Sequence, residues 1–257
     1  MQYTRIGTGD YLVLVHGALA DEKMWYPHIE SLRFEYEAIA VTQRHFGGAD
    51  EGGFGLNTHA DDLAAFFSHL CKQKKVHTVG WSYGADVILN MLVRHSVDLS
   101  NIFLYEPGYP GCLSSADMDL WTSDANSMFG RVFDYFSQGD LESAVEALID
   151  GSGNKKGYFM SQPEKVKMQQ IEKSKTLAYQ LGQQEQPNIT VDTLSKINRR
   201  LTISYGTNTR CMFRLVSSAA GTVAKGANLT VVEGEGHMLP IENPKKFSFL
   251  IKDYLQS

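Results

Sequence analysis

The sequence predicts an α/β fold with a mostly parallel sheet and helices on both of its faces. Short apolar runs alternate along the chain with segments of helical periodicity, a pattern typical of parallel strands joined by crossover helices. One Gly-x-Ser-x-Gly turn, residues 80–84, lies between such a strand and such a helix. Between residues 110 and 200 the alternation stops and the pattern indicates helices alone. We therefore expect a helical cap over 110–200, inserted into a sheet domain formed by 1–109 and 201–257.

Apolar runs bounded by turn residues predict the strands. They cover residues 2–9, 11–15, 38–41, 76–79, 101–105, 201–205 and 228–232. Helical spacing of apolar side chains predicts helices over residues 22–32, 57–71, 85–93, 118–138, 141–150, 163–181, 191–197, 210–225 and 243–255. Asn57 or Thr58 is expected to cap the second helix. Residues 44–55 are rich in glycine and predict a loop.

The composition is that of an ordinary folded protein. The chain has 257 residues, 43% hydrophobic and 21% charged, with a formal net charge of −5, which argues against nucleic acid or an anionic membrane as a partner. The N-terminus has no signal-like segment, and no apolar run approaches the ~18 residues that span a membrane. Cys71, Cys112 and Cys211 form no Cys-x-x-Cys motif. We expect a cytoplasmic protein, monomeric or homodimeric, with no metal site.

The turn at residues 80–84 has the features of a nucleophile elbow. Ser82 is flanked by Gly80 and Gly84, follows an apolar strand and opens a helix. A turn this tight exposes the serine hydroxyl at the C-terminal edge of the sheet, beside helix N–H groups that favour negative charge. We therefore predict Ser82 as a nucleophile. The alternative is a serine that only makes a tight turn.

A serine nucleophile needs a base and an acid that orients the base. His237 follows the last strand in the loop Gly234-Glu235-Gly236-His237-Met238, whose glycines let the backbone come close to the same sheet edge, and it is predicted as the base. The alternative is a loop histidine that makes structural hydrogen bonds. The commonest place for the acid, the turn after residues 201–205, has no carboxylate and carries Thr209 instead. Glu106 ends the strand at 101–105 and is predicted as the acid. The alternative is a structural glutamate paired with Arg210.

Two backbone N–H groups are predicted to form an oxyanion hole. A His16-Gly17 pair ends the strand at 11–15, and such a pair shapes a loop in which the N–H of Ala18 is the donor. The second donor is the N–H of Tyr83, directly after the nucleophile.

Three motifs in this order, His16-Gly17-Ala18, Gly80-Trp81-Ser82-Tyr83-Gly84 and Gly236-His237-Met238, resemble the α/β-hydrolase superfamily across essentially the whole chain. Residues 14–18, 43–47 and 104–107 look like a subgroup of small esterase-like hydrolases. The resemblance implies an eight-stranded sheet with the cap inserted after the sixth strand. Some members, the mycotoxin lactonases among them, have a glutamate acid after that strand, which Glu106 matches. Dehalogenases and epoxide hydrolases of this fold use an aspartate nucleophile, which position 82 excludes.

The substrate pocket is expected between Ser82 and the cap. Its predicted lining residues are Met24, Trp25, Trp81, Tyr83, Tyr109, Trp121, Phe129, Phe133 and Phe136. Phe129 and Phe133 share a helical face with Phe136, a spacing that equally fits packing within the cap.

These residues predict a serine hydrolase without a cofactor. It would cleave a small apolar or aromatic ester or lactone through an acyl-enzyme on Ser82. One alternative is a carbon–carbon bond hydrolase or acyltransferase on the same three residues. Another is a ligand-sensing, inactive homologue, which the missing carboxylate at Thr209 would suit.

Overall fold

The computed structural model describes residues 1–47 and 51–256, so Gly48 of the predicted loop lies outside the described residues. Strands β1 to β7 are Gln2–Gly7, Asp10–Val15, Tyr36–Thr42, Val76–Trp81, Ile102–Tyr105, Asn198–Gly206 and Lys225–Val232. Helices α1 to α12 are Tyr26–Leu32, Leu56–Leu70, Tyr83–Arg94, Ser115–Ser137, Leu141–Ser152, Tyr158–Ser161, Glu164–Glu172, Ser174–Gly182, Val191–Leu194, Cys211–Val223, Leu239–Glu242 and Pro244–Gln256. A 3-10 turn, Glu22–Trp25, leads into α1.

The described strands form one sheet in the order β1-β3-β2-β4-β5-β6-β7. β1 pairs antiparallel with β3, and the other strand pairs are parallel. The predicted fold class, a mostly parallel α/β sheet, is confirmed. The resemblance implied eight strands, whereas this sheet has 7 strands. The difference arises because β1 forms the edge of the sheet and no further strand in the described residues pairs outside it.

Successive side chains of the central strands enter two different cores. In β2, Leu12 and Leu14 pack in one core with residues of α1 and α12. Val13 and Val15 pack on the opposite face with residues of α2 and α3. All four side chains are fully buried. A strand covered on both faces is apolar at every position, which explains why β2 is visible in the sequence as a continuous apolar run.

Between β5 and β6 the described chain forms α4 to α9 and no strand. We refer to α4 to α9 as the helical insertion. It follows the fifth strand rather than the sixth, because the sheet has one strand fewer than the resemblance implied. The predicted helix at 163–181 is two helices, because at Lys173 the backbone departs from helical geometry (φ −91°, ψ 5°). The division of the chain at residues 110 and 200 stays a prediction.

A side chain distant in sequence caps helix α2. The helix begins at Leu56 with Gly55 as its N-cap, and the predicted cap by Asn57 or Thr58 is wrong. Glu185 Oε2 instead accepts hydrogen bonds from the backbone N–H groups of Asn57 (2.5 Å) and Thr58 (3.3 Å). A carboxylate here satisfies free N–H groups and is favoured by the helix dipole. The contact ties the segment after α8 to the sheet domain.

Three further features concern membranes, thiols and metals. None of the described helices combines the length and the apolar character needed to cross a membrane. Cys71, Cys112 and Cys211 are free thiols. Within residues 1–47 and 51–256, no group of three or more His, Cys, Asp or Glu side chains is placed to hold a metal ion.

Buried histidines are expected to make the fold sensitive to acid. Burial lowers the pKa of His16 to about 4, of His28 to about 3 and of His59 to about 4. Each stays neutral in the folded state but binds a proton in the unfolded chain below its ordinary pKa of about 6.5. Their contribution to stability is therefore present above pH ~6.5 and is lost as the pH falls towards 4. Burial raises the pKa of Asp86 to about 7, so the contribution of this group to stability increases as the pH falls. It opposes the effect of the histidines but is one group against three.

Urea unfolding at pH 7.5 and pH 5.0 measures this effect. Each of the three histidines is expected to lower the free energy of unfolding by on the order of 2 kcal/mol over that interval. His28 packs against the rings of both Trp25 and Phe247, so His28→Phe should reduce the pH dependence. His69→Gln, on the exposed side of α2, is the control. An equal pH dependence in the wild type and His28→Phe would contradict the assignment.

Candidate active site

Ser82 makes a sharp turn between β4 and α3. β4 ends at Trp81 and α3 begins at Tyr83, and Ser82 between them has φ 54° and ψ −123°. A left-handed φ is unfavourable for a residue with a side chain and persists only where the surroundings hold it. Here the Ser82 N–H donates to the carbonyl of Tyr105 (2.9 Å), and the Asp86 N–H donates to the carbonyl of Ser82 (3.1 Å). The turn places the serine at the C-terminal edge of the sheet and at the N-terminus of α3.

Close packing explains the two glycines of this turn. A Cβ on Gly80 would lie 2.7 Å from Ile88 Cδ1 and 2.8 Å from the carbonyl oxygen of Gly84. A Cβ on Gly84 would lie 2.5 Å from the carbonyl oxygens of both Val15 and His16. Contacts this short do not occur for real Cβ atoms, so α3 can approach β4 and β2 only because both positions are glycine.

The side chains of Ser82, His237 and Glu106 form one hydrogen-bonded chain. Ser82 Oγ lies 3.0 Å from His237 Nε2, and His237 Nδ1 lies 2.7 Å from Glu106 Oε2. His237 is 3% exposed and Glu106 is 0% exposed, so water does not compete for these bonds. With Nδ1–H donating to the carboxylate, Nε2 has a free lone pair facing the serine hydroxyl. The structure thus brings together the three residues predicted from separate strand ends.

Two further donors hold the Glu106 carboxylate. The Gly206 N–H donates to Oε1 at 2.8 Å, and the Thr209 hydroxyl donates to Oε2 at 2.6 Å. Gly206 ends β6 and Thr209 lies in the turn that follows, where the sequence has no carboxylate. Thr209 therefore binds an acid supplied by the neighbouring strand. Arg210, the alternative partner considered for Glu106, pairs with Asp124 instead (Nη2 to Oδ1, 2.6 Å).

Aromatic residues position His237. The ring of Phe213 stacks on the imidazole with 3.8 Å between ring centroids and 10° between planes. Trp81 Nε1–H donates to the His237 carbonyl at 2.9 Å. Tyr105 O–H donates to the carbonyl of Gly236, also at 2.9 Å. The sequence did not identify Phe213, because it lies in α10 and meets His237 only through the fold.

Hydrogen bonds of His16 fix the loop after β2, in which the oxyanion donor is predicted. His16 Nδ1 lies 2.7 Å from the Gly17 carbonyl, and Nε2 accepts the Gln43 N–H at 3.1 Å, so the ring is a fixed neutral tautomer. Ala18 and Tyr83 both line the cavity beside Ser82. In the described part of the chain, neither of their backbone N–H groups donates to a carbonyl. These two N–H groups are available to an anionic oxygen.

A cavity of about 580 Å³ adjoins Ser82, a size typical of small-molecule sites. The helical insertion contributes apolar side chains of α4, α5 and α8 to its wall, among them Met128, Leu148 and Leu177. Among the described residues, no lysine or arginine lines the cavity, and the ionisable lining groups besides tyrosines are Asp86 and His237. The cavity therefore favours neutral, apolar groups over anions.

The structure corrects two predicted lining residues. The lining includes Trp81, Tyr109, Trp121, Phe129 and Phe133. Trp25 is instead fully buried in the core, 4.8 Å from the ring of His28 and 6.2 Å from that of Phe247. The prediction for Trp25 is wrong because the 3-10 turn places its indole against α1 and α12. Met24 and Tyr83, which were also predicted, line the cavity, whereas Phe136 of α4 does not.

Asp86 is a cavity residue that the sequence did not single out. It lies in the first turn of α3, is 7% exposed and accepts the backbone N–H groups of Gly108 and Tyr109, each at 3.0 Å. Burial raises the pKa of Asp86 to about 7. The carboxyl group links the nucleophile helix to the segment that begins the helical insertion. The sequence could have drawn attention to Asp86 because it is an acidic residue within the otherwise apolar start of α3.

Comparison with solved structures supports the same fold over nearly the whole chain. MenH from S. aureus is 18% identical with a TM-score of 0.77, over 99% of this chain and 97% of that one. An esterase from Thermogutta terrifontis is 23% identical with a TM-score of 0.75, over 99% and 92%. Est816, an N-acyl homoserine lactone degrading enzyme, is 18% identical with a TM-score of 0.75, over 98% and 95%.

Identities this low establish the fold alone. The family model of the alpha/beta hydrolase family, however, matches residues 12–248. That range holds the serine turn, the strand-end glutamate and the histidine loop. The chain belongs to the alpha/beta hydrolase family.

Proposed function

We propose that this protein is a serine hydrolase that cleaves small apolar or aromatic esters or lactones through an acyl-enzyme on Ser82. The observation that supports the proposal is the hydrogen-bonded chain Ser82–His237–Glu106 beside an apolar cavity. A serine next to a buried, oriented imidazole is the arrangement required for nucleophilic catalysis on a carbonyl carbon.

In the proposed reaction, Ser82 Oγ attacks the substrate carbonyl carbon while its proton passes to His237 Nε2. The carbonyl oxygen becomes an anion and accepts hydrogen bonds from the N–H groups of Ala18 and Tyr83. Glu106 stabilises the imidazolium, which then protonates the leaving alcohol oxygen as the C–O bond breaks. A water molecule next gives a proton to His237 and attacks the acyl carbon, which releases the acid product and restores Ser82.

The cavity supports a neutral substrate. An anionic group would be buried without a cation, because no lysine or arginine in the described residues lines the cavity. The carbonyl oxygen of an ester or lactone becomes negatively charged only in the transition state, where the N–H groups of Ala18 and Tyr83 would donate hydrogen bonds to it. The esterase and the lactone-degrading enzyme that share the fold accord with this choice.

The ligand-sensing alternative drew on the missing carboxylate at Thr209. Glu106 supplies that carboxylate from the adjacent strand, so the observation that favoured an inactive protein no longer favours it. Acyl transfer and carbon–carbon bond cleavage use the same three residues and are distinguished by the substrate that is turned over.

Steady-state turnover of p-nitrophenyl acetate and p-nitrophenyl butyrate tests the proposal. The expected result is saturable release of p-nitrophenol that depends on Ser82, with little cleavage of a vinylogous diketone. Ser82→Ala, prepared in the same way, gives the background. Diketone cleavage without ester turnover would replace the proposal with carbon–carbon bond hydrolysis, and turnover of neither would contradict it.

Replacing Thr209 with valine is expected to lower kcat about 10-fold with little change in KM. Valine keeps the shape of threonine but removes one donor to Glu106 Oε2, and a hydrogen bond to a charged group contributes roughly 1.5–3 kcal/mol. Thr209→Ser keeps the hydroxyl and should retain most of the activity. The measurement is kcat and KM of both variants on the same ester. Equal losses in the two variants would contradict a role for the hydroxyl.

A further inference from the structure

A second cavity, of about 570 Å³, lies next to the first one and is not needed by the reaction described above. We call it the side groove. It lies where β1, the 3-10 turn, α1, α7 and α11 meet. Its wall is mainly apolar and includes Ile6, Tyr26, Pro27, Ile29, Pro240 and Pro244.

The two cavities share part of their walls. Met24, Val166, Gln169 and Ile241 line both of them. Because the same side chains face both spaces, the partition between the cavities is one layer of side chains thick. Three of its four members are apolar, and methionine adapts its shape easily. An apolar chain that displaces these side chains would pass from the Ser82 cavity into the side groove.

The polar member of the partition is fixed. Gln169 Nε2 donates to Asp21 Oδ1 at 2.7 Å, and Lys173 Nζ lies 2.7 Å from Asp21 Oδ2. Asp21 is buried and lies in the loop that continues from Ala18. These contacts hold α7 over the partition, so an opening has to form among Met24, Val166 and Ile241.

We propose that the side groove is a second compartment of the substrate site and takes the far end of a long, unbranched acyl chain. The proposal rests on the proposed ester hydrolysis and extends its substrates from small esters to apolar esters with a long acyl chain. The charged residues that line the groove, Lys23, Lys165 and Glu30, carry both signs, so the groove favours no charged head group. Its apolar wall continues that of the Ser82 cavity, which matches a hydrocarbon chain.

The chain-length preference of the enzyme tests this compartment. Ile6 and Tyr3 lie on the same edge strand with similar exposure, 39% and 48%, but only Ile6 lines the groove. Tyr3 packs against Phe66 on the other face. Ile6→Trp would fill the groove, and Tyr3→Trp is the matched control. The readout is the ratio of kcat/KM for p-nitrophenyl dodecanoate to that for p-nitrophenyl acetate.

We expect Ile6→Trp to lower this ratio by about 10-fold, because about two methylene groups of the acyl chain would lose their contacts. Tyr3→Trp should leave the ratio within about 2-fold of the wild-type value. Val166→Ala, which thins the partition, should raise the ratio, a direction that misfolding does not produce. A ratio unchanged by both Ile6→Trp and Val166→Ala would overturn the proposal.

A binding measurement separates this proposal from the proposed function. Calorimetric titration of Ser82→Ala with methyl dodecanoate, a neutral ester with the same chain, should give a Kd that the added Ile6→Trp change raises about 10-fold. Binding of this kind without ester turnover would overturn the hydrolase assignment alone. Ester turnover with neither the ratio nor the Kd changed by Ile6→Trp would overturn the side groove alone.

Discussion

Replacing Glu106 with glutamine is expected to lower kcat by roughly 10²–10⁴-fold while the protein stays folded. Glutamine has nearly the same shape, but its amide carries no charge to stabilise the imidazolium of His237. The amide NH₂ can also donate to Nδ1, which leaves the proton on Nε2, where it blocks transfer from Ser82. Because the Glu106 and His237 side chains are buried, no water replaces the lost charge.

The measurement is kcat on an acetyl ester together with a thermal unfolding curve. Glu37→Gln is the matched control, since it removes a carboxylate that pairs with Arg5 and Lys74 outside the site. It should keep the wild-type kcat. Turnover of Glu106→Gln within a few-fold of the wild type, with a normal unfolding curve, would mean that Glu106 is not the orienting acid.

Replacing Ser82 with alanine is expected to lower kcat by about 10⁵–10⁶-fold, the largest effect of any single change. Alanine removes the only hydroxyl that lies within hydrogen-bonding distance of His237 Nε2 among the described residues. The backbone N–H groups and the cavity remain, so a slow residual hydrolysis above that of water alone is expected. Substrate binding should change little, because the cavity wall is otherwise intact.

Active-enzyme contamination limits such a measurement, so Ser82→Ala is purified on unused resin and compared with Ser68→Ala. Ser68 is an exposed residue of α2, and its replacement should leave kcat at the wild-type value. A Ser82→Ala protein that retains more than about 1% of the wild-type turnover would contradict covalent catalysis by this hydroxyl.

Much of the sheet could be predicted because its physical constraints are local. β2 is buried on both faces, so its residues 11–15 are all apolar and the strand is visible as a run. The serine turn was visible because α3 packs so closely that positions 80 and 84 admit only glycine. The relation between Ser82, His237 and Glu106 was also predictable, because parallel strands end at the same edge of the sheet.

Contacts between distant segments could not be predicted where no shared sheet edge brings the segments together. The carboxylate at the N-terminus of α2 comes from Glu185, more than a hundred residues later in the chain. In the sequence, Thr209 marks only the place where an acid is missing. Its hydroxyl can donate to Glu106 because the fold places the two side chains together. Trp25 follows the oxyanion loop, but the direction of its side chain is set by a 3-10 turn that no sequence pattern marked.

Covalent labelling with a fluorophosphonate probe tests most directly whether Ser82 is a nucleophile activated by His237. Peptide mass spectrometry of the wild-type protein should find the phosphonyl adduct on Ser82. No adduct should form at this site in Ser82→Ala, and labelling should be greatly slowed in His237→Ala, which lacks the base at 3.0 Å from the hydroxyl. A wild-type protein that stays unlabelled at Ser82, or that labels as fast without His237, would contradict the account.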